Sequence, residues 1–79
     1  MRLRIDEEAD ALHLQLIDVP VVESEEVAPG VSVDYDDANE VIGIEVLYLS
    51  KRPHPVNLLN FQFQTTPKKH APVPEGRIP

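Results

Sequence analysis

Cysteine is absent from this chain of 79 residues, so neither a disulfide nor a cysteine-ligated zinc can staple it. Glycine occurs three times and in no phosphate-loop pattern, which removes Gly-rich nucleotide cradles from consideration. Aromatic residues make up 5% of the chain, and tryptophan is missing. No segment approaches the roughly 20 apolar residues of a membrane span. Met1 to Glu8 turns charged before an apolar signal core can form, so the expected compartment is the cytoplasm, with no membrane partner. Basic residues are scarce, 7 against 14 acidic ones, for a net charge of −7.

That net charge is unevenly divided. Residues 1–50 carry 2 basic and 13 acidic side chains (−11), whereas residues 51–79 carry 5 basic and 1 acidic (+4), which together give −7. An acidic body disfavours nucleic acid and suits a basic protein partner. A chain this short forms a single domain and buries a small share of its surface, so self-association as a homodimer or higher homo-oligomer is expected.

Apolar alternation is what the sequence does have. Leu3 and Ile5 alternate with arginines, and Leu12, Leu14 and Leu16 alternate with His13 and Gln15, predicting two strands joined by Asp6 to Asp10 in a four- or five-residue loop built on a type I turn. Val21 to Val27 reads as a third strand whose glutamates suit an edge. Pro29-Gly30 is a turn signal. Val31, Val33 and Tyr35, then Ile42, Ile44 and Val46, predict a hairpin with Asn39 in the left-handed region of its loop. Tyr48 to Arg52 has room for one helical turn before Pro53. Leu59, Phe61 and Phe63 alternate with amides, making 58–64 a candidate extra strand for its own body or for a neighbour's sheet edge. Residues 65–79 hold four of the eight prolines, a composition expected to be extended or disordered.

The fold class predicted is α+β but mostly β: a small antiparallel sheet of four to five strands in a meander of hairpins, one short helix and an extended C-terminal tail. Residues 1–52 form the β-rich domain and 53–79 a Pro-rich basic extension. The expected core is Leu3, Ile5, Leu12, Leu14, Leu16, Val22, Val27, Val31, Val33, Tyr35, Ile42, Ile44, Val46 and Leu49. One helical turn cannot cover such a sheet, so a second sheet from another subunit is the simplest lid.

Three blocks, Asp6 to Leu12 (DEEADAL), Val22 to Val31 (VESEEVAPGV) and Val33 to Asp36 with Val41 to Leu47 (VDYD, VIGIEVL), give the chain a family look. It resembles the small bacterial and archaeal proteins grouped as domain of unknown function 2283, over residues 1–52. It departs from them at Asn39, where the family usually places Gly, and the tail after Arg52 lies outside the likeness. The resemblance implies no activity. Some members look like neighbours of small basic toxin-like proteins, which implies an antitoxin-like role.

Candidate chemistry is thin. Counted from Asp34, the residues Asp34, Asp36 and Glu45 fall at the first, third and twelfth positions of a calcium loop, but Ala38 at the fifth cannot ligate and Asn39 replaces the glycine at the sixth. Solvated turn acids are the plainer reading. His13 with Asp6, Glu8 or Asp10 is a candidate metal or acid/base set, against an ordinary surface histidine on the polar face of its strand. His54 and His70 lie in proline-rich sequence. No Ser, His and Asp arrangement stands out. Lys51, Arg52, Lys68, Lys69 and Arg77 make a sparse nucleic-acid footprint, with attraction to the acidic body as the alternative. The expected role is a non-catalytic interaction module without a cofactor, an acidic partner of a basic protein. The alternative is calcium binding or hydrolysis by the acidic loops 6–10 and 34–37.

Overall fold

A computed structural model describes residues 1–68. Its strands are β1 (Arg2–Asp6), β2 (Ala11–Gln15), β3 (Glu23–Ala28), β4 (Val31–Tyr35) and β5 (Val41–Val46), followed by a 3-10 turn, η1 (Leu49–Lys51). All five strands form one antiparallel sheet in the order β1-β2-β5-β4-β3. The protein is mostly β, as its alternating pattern predicts. Hairpins build the sheet, and β5 docks between β2 and β4, so the β1-β2 hairpin closes against the last strand in chain order. No helix among the described residues is long and apolar enough to cross a membrane.

Turn chemistry explains the connections. In the β1-β2 loop the Asp6 carboxylate accepts the Ala9 amide (3.0 Å), the Asp10 amide donates to the Glu7 carbonyl (3.2 Å), and Asp10 takes a φ of 56°. Between β4 and β5 the Asp36 carboxylate accepts the Ala38 and Glu40 amides, both at 2.9 Å, and Asn39 enters the left-handed region at φ 61° as its short amide side chain permits. Gly30, at φ 72°, completes the β3-β4 turn begun by Pro29. A side chain there would press on the Tyr48 ring.

Because paired residues of an antiparallel ladder share a face, the register sorts the side chains into two surfaces. One face carries the cross-strand rows Leu3, Leu14, Ile44, Val33, Glu25 and Ile5, Leu12, Val46, Val31, Ala28. The other carries Arg2, Gln15, Gly43, Asp34, Ser24 and Arg4, His13, Glu45, Ser32, Glu26. A bulge in β5 leaves Ile42 without a ladder partner on β4, and its carbonyl instead accepts the Leu16 (2.8 Å) and Ile17 (3.4 Å) amides.

The core differs from the sequence expectation. Among the described residues the buried apolar side chains are Ala11, Ile42 and Leu49. Leu12, Leu14, Val31, Val33, Ile44 and Val46 are half-buried, a consequence of a single-layer sheet. Val22 and Val27 were expected inside but are 65% and 53% exposed. Val22 precedes the edge strand, and Val27 sits in a bulge between Glu26 and Ala28. Leu3 and Leu16 are also exposed. Ala11, too small to stand out as an apolar anchor, was missed.

η1 is held by one acid. The Asp10 carbonyl accepts the Leu49 amide (3.1 Å), and its carboxylate accepts the Ser50 amide (3.0 and 3.1 Å) and hydroxyl (2.7 Å). Beyond it the Val56 amide returns to the Leu49 carbonyl (2.9 Å). Residues 58–64 form no ladder with any of the described residues.

Candidate functional site

The best-connected polar cluster lies on the polar face and centres on Asp34. Ser24 on β3 is paired directly with it, and the Ser24 hydroxyl donates to Asp34 Oδ1 at 2.6 Å. His13 belongs to β2, two strands away, yet its Nε2 lies 2.8 Å from Asp34 Oδ2. The link passes over β5 at Gly43. A Cβ on Gly43 would stand 2.8 Å from Asp34 Oδ2 and 3.3 Å from His13 Nε2, so the missing side chain is what opens the path.

Asp34 is buried. Burial alone raises its carboxyl pKa, but the Ser24 hydrogen bond, the His13 hydrogen bond and the His13 charge outweigh it and hold the group below its ordinary value of 3.8. An ionised carboxylate only accepts, so His13 Nε2 donates to it.

The order of the three groups decides what they can do. A nucleophilic serine needs the imidazole between hydroxyl and carboxylate, so that the ring takes the hydroxyl proton. Here the carboxylate is in the middle, and Ser24 and His13 bind its two different oxygens. The cluster ties β2, β3 and β4 together across β5 and does not activate Ser24.

The residues singled out by sequence fall elsewhere. Asp34, Asp36 and Glu45 are not brought together: Asp34 faces Ser24 and His13, Asp36 closes its own loop, and Glu45 stands across from His13 and Ser32. Among the described residues no three His, Asp or Glu side chains converge as a metal would require. His13 is not an ordinary surface histidine, and its acid is Asp34 rather than Asp6, Glu8 or Asp10. Asp6 caps its loop and Asp10 holds η1, while Glu8 is exposed. A shallow recess beside His13 is lined in part by Arg4, Asp6, Ala9 and Glu45. Arg52 folds back to the Leu47 carbonyl (3.4 Å), whereas Lys51, His54 and Lys68 are exposed. Lys69, His70 and Arg77 lie outside the described residues.

A Ser, His and Asp arrangement therefore exists although none was legible in sequence. Its one linear signal was Gly43, a lone glycine interrupting the β-branched run Val41 to Val46.

The family described as "Protein of unknown function (DUF2283)" matches residues 2–50, which is more than half of the chain and spans all five strands and η1's first two residues. The chain belongs to this family. Asp10, His13, Ser24, Asp34 and Gly43 all lie within the DUF2283 match, whereas residues 51–68 lie beyond it. No curated protein and no solved structure matches the chain.

Proposed function

We propose that this DUF2283 protein is a non-catalytic interaction module that pairs with a second copy of itself through the apolar face of its sheet. The observation that carries the reading is the pair of cross-strand rows, Leu14, Ile44, Val33 and Leu12, Val46, Val31, which stay half-buried in a single layer. A sheet with one apolar face needs a second layer, and a copy of the same face supplies one by two-fold symmetry. The carboxylate-centred order of Ser24, Asp34 and His13 supports a bracing role for the polar face. Sedimentation of the full chain tests the reading. Leu14→Asp should dissociate the complex and Ser32→Asp on the opposite face should not; a wild-type chain that stays monomeric at millimolar concentration would refute it.

A basic protein is the second partner this surface suits. Glu23, Glu25 and Glu26 are exposed along edge strand β3, and among the described residues no side-chain hydrogen bond or ion pair holds their carboxylates. Such contact weakens with salt. Retention of an arginine- and lysine-rich peptide at low ionic strength, lost when the three glutamates become glutamines, is the expected result. Equal retention by both forms would exclude this edge as the docking surface.

A further inference from the structure

We infer that residues 59–64 act as an exchanged strand, adding to the free edge of β1 in a second copy of the chain. The body lets go of its C-terminal segment at a defined place. Val56 is fastened to Leu49, the Leu59 amide bonds to the Asn57 side chain (3.0 Å), and the Asn60 amide bonds to the Asn57 carbonyl (3.3 Å). Among the described residues no later hydrogen bond returns to the sheet. Leu59 in that turn and Phe61 and Phe63 after it are 78%, 61% and 75% exposed, and the two phenylalanines pair with no strand among the described residues.

The arm has the makings of a strand. Residues 57–66 contain no proline and no charge, so beyond the Asn57 turn the amides of residues 61–66 are available as ladder donors, and from Leu59 to Gln64 the side chains alternate apolar with amide. The sheet has two outer edges, β1 and β3. At β3 the apolar side of the sheet ends in Glu23 and Glu25, which would put carboxylates beside phenylalanine rings. At β1 it ends in Leu3 and Ile5, two residues apart as Phe61 and Phe63 are. An arm laid along β1 extends the Leu3-Leu14-Ile44-Val33 row with one ring and the Ile5-Leu12-Val46-Val31 row with the other, and it puts Asn60, Gln62 and Gln64 on the side of Arg2 and Arg4. Exchange of two arms gives a closed two-fold dimer. This edge contact is separate from the face contact proposed above.

A sample mixing isotope-labelled and unlabelled full-length chains tests the exchange. Expected are intermolecular NOEs from the Phe61 and Phe63 rings to the Leu3 and Ile5 methyls, with amide protection across 60–64 rising at least about tenfold from dilute to concentrated protein. Phe61→Ser with Phe63→Ser should abolish both signals while the β1-β2 cross-strand NOEs persist, which shows that the body is still folded. Contacts to Glu23 and Glu25 instead, purely intramolecular contacts, or an arm that exchanges freely at every concentration would overturn the inference. A dimer with a freely exchanging arm overturns it and leaves the apolar-face reading standing. An arm protected in a dimer whose Leu14 and Ile44 methyls stay open to a soluble paramagnetic agent supports the exchange and sinks the face contact.

Discussion

The two faces of this sheet are made by the same strands and differ only in which alternate residue each strand turns outward. On the apolar face, leucine, isoleucine and valine form two rows that any similar surface can match. On the polar face, Ser24, Asp34 and His13 make specific contacts to two different carboxylate oxygens across three strands. Burial is non-directional and forgiving of detail, whereas a buried carboxylate tolerates only donors placed at hydrogen-bond distance. The apolar face thus specifies little beyond burial, whereas the polar face fixes which strands lie beside which.

Four substitutions probe that division. Ile42→Ala removes the most deeply buried large side chain and should cost about 2–5 kcal/mol in a urea titration, the largest effect expected. Gly43→Ala forces a methyl against Asp34 Oδ2 and should cost about 1–3 kcal/mol while separating His13 from Asp34, visible as a changed His13 ring signal in NMR. An unchanged ring signal would show that the brace does not cross at Gly43.

Asp34→Asn weakens two charge-assisted hydrogen bonds and should cost a comparable or smaller amount, about 1–3 kcal/mol. It also carries a pH signature. The folded-state value of this carboxyl lies below 3.8, so its contribution to stability is complete above that value and is lost as pH falls through the lower folded one. Acid unfolding of the asparagine variant should have a shallower slope below about pH 4 than wild type; equal slopes would remove Asp34 from the acid response. Smallest of all, Glu25→Thr on the exposed edge should change stability by less than about 0.5 kcal/mol, because no partner holds that side chain.

Period-2 alternation made the strands legible to within a residue or two, and local chemistry identified the left-handed Asn39, the edge character of β3 and the single turn at Leu49. These features depend on neighbours a few positions apart. The insertion of β5 beside β2 depends on register between segments far apart in the chain, and with it the meeting of His13 and Asp34, themselves 21 positions apart, which no local period encodes. Val22 and Val27 looked like core residues for the same reason: their pattern was right for a strand, but the strand has a neighbour on one side alone and carries a bulge. A glycine inside a strand, as Gly43 is, suits a close approach by a neighbour, but the sequence does not name Asp34 and His13 as that neighbour.

Asp10 joins positions 40 apart in the chain through Ser50, and no hydrogen bond holding η1 to the sheet is more remote in sequence. A contact of that separation forms after the ladders it spans, since its loop closure is repaid only once the intervening strands have paired. Asp10→Ala should accordingly speed unfolding far more than it slows folding. The residue acts as a late clasp: until its carboxylate has captured Ser50, the segment that follows η1 has no fixed origin on the sheet.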